Sequence, residues 1–198
     1  MSGSPIDIVT IEEAREELFE KGNQYDDAIL RRIAALSHVF EAETGWSFKQ
    51  RVLTARRVDG EGQYFLLLPF VPVQSVSAIE IRSEMTDAVV STLAPTDFIL
   101  KDAERGRIQL LNGQCFPPGF RNVLVTMTIG FLATDERLAR AKALLLEQLS
   151  FDYHTWQNHE QGIVAKSFSD GNVSFAPRTH LLQKVQDGLD ALRSWRVM

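Results

Sequence analysis

Few side chains in this sequence stand where chemistry could begin. The four histidines are His38, His154, His159 and His180. His154 and His159 lie five positions apart, which on a helix turns them off a common face and suits a two-histidine metal site poorly. A zinc site built from them with Cys115 is the strongest metal reading, and its spacing matches none of the usual ligand patterns. Cys115 sits in Gln114-Cys115-Phe116-Pro117-Pro118-Gly119, with no base or cation beside it in sequence to activate a thiolate. A small half-buried loop residue fits it better than a nucleophile. Gly60-Glu61-Gly62 opens like a dinucleotide loop, but no third glycine and no helical pattern follow. The P-loop, Gly-x-Ser-x-Gly and His-Glu-x-x-His signatures do not occur. Acidic residues are plentiful, yet a catalytic carboxylate pair is recognised by geometry, so spacing assigns none. The sequence nominates no catalytic, cofactor-binding or metal-binding residue.

Electrostatics narrow the choice of partner. The formal charge is −5 and the pI about 5.4, whereas a protein that grips nucleic acid by its phosphates needs a basic surface. Residues 1–48 hold ten acids against Arg15, Lys21, Arg31 and Arg32, a net of −6, so the remainder nets +1. A solvated face of acidic helices accounts for such a block; a surface that repels DNA, or meets a basic partner, is the functional alternative. The two N-terminal helices invite comparison with a DNA-reading helix-turn-helix. In the second helix, however, Arg31 and Arg32 are outnumbered by Asp26, Asp27, Glu41 and Glu43.

These residues need elements to hold them. Thr10-Ile11-Glu12-Glu13 is a capping box, followed by Ile11, Ala14 and Leu18 at helical spacing and a stop at Gly22-Asn23. A second helix starts at Asp26-Asp27 with a stripe of Ile29, Ile33, Leu36 and Phe40, and Gly45 ends it. Val52–Val58 and Tyr64–Leu68 then read as strands around Asp59-Gly60-Glu61-Gly62, a hairpin turn, with Pro69 and Pro72 breaking the second. Further strands are expected at 76–81, 98–100, 107–111 and 123–129. Helix returns at Thr134-Asp135-Glu136 with the stripe Leu138, Ala141, Leu145 and Leu149, running to about Trp156. A polar loop or short hairpin follows, then an amphipathic helix over 178–195 striped by Leu181, Val185, Leu189 and Leu192. The fold expected is α+β in one domain of 198 residues. It divides into a helical pair (1–48), a small antiparallel β-sandwich or curled sheet (49–131), a long helix (132–157), a polar loop or hairpin (158–177), and a C-terminal helix and tail (178–198). A single cysteine excludes a disulfide framework within the chain. No secretory pattern is present at Met1, and the longest apolar stretch, near 65–73, is short and contains two prolines.

The order of segments resembles the head–tail connector (adaptor) proteins of long-tailed bacteriophages and gene-transfer particles. The likeness lies in Thr10-Ile11-Glu12-Glu13-Ala14-Arg15-Glu16-Glu17-Leu18, in Asp26-Asp27-Ala28-Ile29-Leu30 leading to Glu43-Thr44-Gly45-Trp46, and in Leu68-Pro69-Phe70-Val71-Pro72-Val73-Gln74-Ser75-Val76. It continues through Arg105-Gly106-Arg107-Ile108-Gln109-Leu110, a strand ending in Gly130 before the long helix, and the polar run from Ser167 to Phe175. Nearly the whole chain is covered, although the 157–161 region is longer than in the shortest members.

The resemblance implies a structural virion protein without catalysis or cofactor, made in the host cytoplasm and placed in the particle neck. It implies a ring, commonly of twelve copies, held between the portal protein and a stopper or tail-completion protein, with DNA passing through its channel unbound and no membrane involved. On that reading Leu189, Leu192, Trp195 and Arg196 are candidates for the portal contact; closing over the protomer's own core is the equal alternative for that helix. The tips at Gly60, Glu61, Gly62, Ser83 and Glu84 are candidates for the next ring, or ordinary exposed hairpins. Glu12, Glu13, Glu16, Glu17, Asp26 and Asp27 are expected to face the channel. A stopper or tail-terminator subunit and, from another class, a small DNA-binding regulator are the alternatives.

Overall fold

A computed structural model describes residues 6–83, 85–111, 113–157, 165–168, 171–174 and 181–197, with residues 165–168, 171–174, 196 and 197 described by backbone alone. Helix α1 spans Ile11–Glu17 and carries the expected capping box: the Thr10 hydroxyl accepts from the Glu13 amide while the Glu13 carboxylate accepts from the Thr10 amide at 2.8 Å. It stops before the expected Gly22-Asn23, because Phe19 takes the left-handed conformation at φ 54°. Helix α2, Asp26–Thr44, ends as expected on Gly45 at φ 71°, whose amide donates to the Glu41 carbonyl oxygen at 2.9 Å.

Nine strands follow among the described residues, in two groups. The first seven are β1 (Arg51–Gly60), β2 (Phe65–Leu67), β3 (Val73–Arg82), β4 (Val89–Leu93), β5 (Phe98–Asp102), β6 (Arg107–Leu110) and β7 (Gly119–Ile129). They form a four-stranded antiparallel sheet in the order β1-β7-β3-β4 and a three-stranded one in the order β2-β6-β5. The turn at Asp59–Gly62 therefore does not close a hairpin. β1 pairs with β7, Arg51 opposite Ile129 and Gly60 opposite Gly119, while β2 crosses to the other sheet and pairs with β6. Strand β4, absent from the sequence reading, is an edge strand exposed at its first four residues, so no apolar alternation announces it.

The long helix α3 covers Glu136–Gln157, with the Asp135 carboxylate accepting from the Arg137 amide at 2.9 Å. The short strands β8 (Ala165–Phe168) and β9 (Gly171–Ser174) then pair with each other, Phe168 opposite Gly171. Helix α4, Gln183–Val197, is the last element.

Two apolar clusters hold these layers. Leu53, Ile79, Val123, Val125 and Met127 of the larger sheet meet Leu66, Phe98, Ile108 and Leu110 of the smaller one, so the β region is a small sandwich. The helical cluster joins Ile29, Ile33, Leu36 and Phe40 of α2, Leu138, Ala141, Leu145 and Leu149 of α3, and Val185, Leu189 and Leu192 of α4. Each such side chain larger than alanine contributes roughly 1.5–3 kcal/mol on burial. Trp46, Phe48 and Phe131 fill the junction, with ring centroids of 5.3 Å (Trp46–Phe131) and 5.8 Å (Phe48–Phe131). No helix among the described residues is long and apolar enough to cross a membrane.

Candidate functional site

Where α3 begins and α4 ends, an arginine organises the surface. The Arg137 guanidinium stacks over Phe131, 4.5 Å from its centroid, and over Trp46 at 5.6 Å. Its Nε and Nη2 donate to the two oxygens of Asp135 at 3.0 and 2.9 Å, and Nη1 donates to Glu104 Oε1 at 2.7 Å. Those side-chain hydrogen bonds hold the Asp135 carboxyl below its ordinary value against the effect of burial, and they raise the guanidinium further. The pairing ties the β5–β6 turn to the start of α3 and leaves an open cleft of about 430 Å³ lined by Glu104, Asp135, Glu136, Arg137 and Trp195. Arg140 lies over Trp195, 5.9 Å from its ring.

The candidates for a portal contact divide at this end. Leu189 and Leu192 are buried in the protomer's own core, so their stripe closes the fold and neither side chain is on the surface. Trp195 is 38% exposed. Arg196 lies in α4, and its side chain is outside the described residues.

The opposite end of the larger sheet is a hydrogen-bonded tip. Buried Asn122 accepts from the Gly60 amide through Oδ1 at 2.9 Å and donates from Nδ2 to the Pro117 carbonyl oxygen at 3.0 Å. A Cβ on Gly60 would stand 2.0 Å from that oxygen, so the chain must approach itself without a side chain there. Asp59 Oδ1 accepts from the amide of Arg121, a left-handed residue at φ 53°. Gly60 is thus buried structure rather than contact surface, whereas Glu61 and Gly62 are exposed. Beside them the tip presents Phe120, 67% exposed, and Arg121. At the β3–β4 turn Ser83 is half-buried, its carbonyl oxygen accepting from Asp87, and Glu84 lies outside the described residues. Arg57 reaches both oxygens of Asp87 at 2.9 and 2.8 Å.

The N-terminal acids are not equivalent. Glu13 accepts from Lys142 on α3 at 2.6 Å and Asp26 pairs with Arg15, so these two brace the helices. Burial pushes the Glu13 carboxyl up, and Lys142 with the Thr10 amide and hydroxyl outweigh it and hold it down. Glu12, Glu16, Glu17 and Asp27 are exposed.

The residues the sequence weighed for chemistry lie apart. Cys115 is exposed at the β6–β7 connection and His154 lies on α3, while His159 is outside the described residues. Among the described residues no group of three His, Cys, Asp or Glu side chains is placed to hold a metal ion. The surface features the structure does show are an aromatic–arginine cleft, a braced tip and an acidic helix face. The sequence reading missed Arg137, whose adjacency to Asp135 was a usable signal, and Phe19, Phe120 and Arg121, which carried none.

The fold is α+β, with N-terminal helices, two small antiparallel sheets, a long helix and a C-terminal helix. No protein-family model matches the chain, and no curated protein does. Solved structures match it in fold. A chain in the neck of an empty gene transfer agent particle, computed with C6 symmetry, aligns at TM-score 0.59 and 18% identity over 98% of this chain and 93% of that one. A chain in the virion of a native gene transfer agent particle aligns at TM-score 0.58 and 20% identity over 98% and 93%. A third, in the neck of a native particle computed with C12 symmetry, aligns at 0.56 and 20% over 98% and 92%.

Proposed function

We propose that this chain is a structural neck subunit of a phage-like particle, the head–tail adaptor that forms a ring beneath the portal, joins the capsid to the stopper or tail and leaves a channel for DNA. The observation carrying this reading is the end-to-end likeness to a neck chain of a gene transfer agent particle, 98% of this chain against 93% of the other. The docking surfaces agree with it. A ring subunit meets its neighbours and two axial partners, and the braced tip at Glu61, Gly62, Phe120 and Arg121 is about 30 Å from the helical layer at strand rise, far enough to meet a different component. An adaptor ring of twelve copies would have no catalytic task.

The test is reconstitution. Purified protein mixed with the portal from the same particle should co-migrate as a ring–portal complex, and particles lacking the chain should accumulate filled or empty heads without tails. Tails joining normally in its absence would end this reading. Binding to the tail-completion protein but not to the portal would reassign the chain to the stopper position.

A further inference from the structure

Two strand edges of this protomer carry little to keep another strand away. The first belongs to the β8–β9 hairpin, a sheet of two strands that pair with each other and with no other strand among the described residues. A two-stranded hairpin is marginal in water by itself and becomes stable when a third strand or a packed layer joins it. Its second strand, Gly171-Asn172-Val173-Ser174, has no charged residue to discourage further pairing.

The second edge is β4. It ends the order β1-β7-β3-β4 and pairs with β3 alone, Leu93 opposite Ile79 and Val89 opposite Arg82. The run Ala88-Val89-Val90-Ser91-Thr92-Leu93-Ala94 holds no charge, proline or glycine. Val89 and Val90 are 52% and 67% exposed. Edge strands are ordinarily guarded by charge, by shortness or by bulges. The other three edges of the sandwich are guarded in these ways. β1 carries Arg51, Arg56 and Arg57 and is bent at left-handed Ala55 (φ 49°), β2 is three residues long, and β5 ends in Lys101-Asp102. β4 has only a shift of register between Ile81 and Arg82, and Ser91 to Leu93 pair regularly opposite Ile81 to Ile79.

Within the protomer these two edges do not pair. Residues 158–164 join α3 to β8 and residues 175–182 join β9 to α4, which is seven and eight residues of chain. At roughly 3.5 Å per extended residue each connection spans up to about 25 Å, enough to carry the hairpin onto an adjacent copy. A strand of one copy added to the sheet edge of the next joins two different surfaces. Such a contact repeats head to tail and closes into a ring when the rotation allows.

We propose that β9 of one copy adds to the β4 edge of its neighbour, continuing the larger sheet across the seam between subunits. The proposal rests on the ring reading above and deepens it by naming the contact that joins the copies.

Crosslinking of the full chain tests it, in a Cys115→Ser background. One preparation carries Ser91→Cys and another Asn172→Cys, and the two are mixed with a thiol crosslinker of about 8 Å, which reaches directly opposite and diagonal strand neighbours. Mixed pairs should exceed either like-with-like pair by at least tenfold. They should also exceed, by as much, the pairs formed when exposed Glu61→Cys takes the place of Ser91→Cys. Val90→Lys with Thr92→Lys, which guards the edge at two exposed positions, should weaken self-association in sedimentation by at least tenfold. Its thermal midpoint should change little, as for other surface substitutions.

Like pairs through Ser91→Cys would mean that β4 meets β4, and like pairs through Asn172→Cys that hairpin meets hairpin. A link within one chain carrying both changes would mean that the hairpin folds back on its own sheet. Each of these overturns the proposal, as does a parent chain that remains monomeric at about 1 mM. Failure of the neck reading looks different: mixed pairs would form, but no portal complex. A portal complex assembled without mixed pairs would sink the strand contact alone.

Discussion

The indole N–H of Trp46 donates to the Leu192 carbonyl oxygen at 3.1 Å, joining residues 146 positions apart inside the helical core. Trp46 follows directly on Gly45, where α2 stops, and Leu192 belongs to the last two turns of α4. One buried bond thereby locks the C-terminal helix to the hinge between the helical pair and the β region. Trp46→Phe keeps most of the apolar volume and loses the bond, so it should cost about 1 kcal/mol of unfolding free energy. Trp46→Ala also opens a cavity and should cost about 3–5 kcal/mol. Urea titrations of both variants check the ratio. A Trp46→Phe loss as large as the alanine loss would mean that the bond, not the packing, holds α4.

Asn122 makes a second prediction at the far end of the sheet. Its amide satisfies the Gly60 N–H and the Pro117 carbonyl oxygen at once, and the side chain is buried. Asn122→Ala leaves both groups without a partner and should cost about 2–3 kcal/mol. Asn122→Asp keeps the acceptor and loses the donor, so it should be intermediate near pH 4 and worse at pH 7. Hydrogen exchange at the Gly60 amide would report the local loss directly.

The contrast between those two residues explains what could be read from the sequence. Periodicity located α2, α3 and α4 and their stripes because each helix buries one face: Ile29, Ile33, Leu36 and Phe40 are all core, as are Leu138, Ala141, Leu145 and Leu149. Short strands were found wherever one face is apolar. Their partners were not, because pairing is a long-range choice that local pattern does not encode. The glycine-rich turn after β1 looked like a hairpin because nothing local says that β1 pairs with the distant β7, Gly60 opposite Gly119 and Arg51 opposite Ile129. The surface candidates were least legible. Leu189 and Leu192 sit on one apolar stripe whether that stripe meets the protomer or a partner, and only packing distinguishes the two. Phe19 gave no signal, since its strain comes from a backbone angle and its type would have argued for the core.

Acid should loosen the junction between α3 and the β5–β6 turn. Hydrogen bonds from the Arg137 side chain, with help from its amide, hold Asp135 below its ordinary 3.8 despite burial. A carboxyl whose folded pKa is depressed contributes stability that is fully present above its unfolded pKa and is lost as pH falls through the folded one. Stability should therefore decline below about pH 4 and keep declining as the pH drops further. Asp135→Asn should be about 1–2 kcal/mol less stable at pH 7 and should converge on the parent at low pH. Parallel denaturation curves at both pH values would contradict this.

Gly130 joins β7 to the turn before α3 at φ 102°, and a Cβ there would stand 2.3 Å from the Lys49 carbonyl oxygen. Backbone, not a flexible side chain, is the obstacle. Gly130→Ala must shift either the end of β7 or the chain entering β1, and should cost about 3 kcal/mol or more, beyond the usual overpacking loss because the conformation is also disfavoured. Gly22→Ala, with nothing within 4 Å, is the matched control and should change the midpoint little. Equal effects at the two glycines would refute the argument.

The acidic helix face makes a prediction about DNA. Glu12, Glu16, Glu17 and Asp27 are exposed on a chain of net charge −5, so the protein should not retain duplex DNA at physiological salt, because binding of that kind is driven by counterion release to a basic surface. Changing those four acids to lysine shifts the charge by two at each position, from −5 to +3. If the acids are what keeps DNA off, that variant should acquire binding whose logarithm falls linearly with the logarithm of salt concentration. The helical core should be untouched, since none of the four contributes to it. Filter binding across a salt series measures both proteins. Tight retention by the parent at physiological salt would restore the DNA-binding regulator as a serious reading. A lysine variant that still ignores DNA would locate the repulsion elsewhere on the surface.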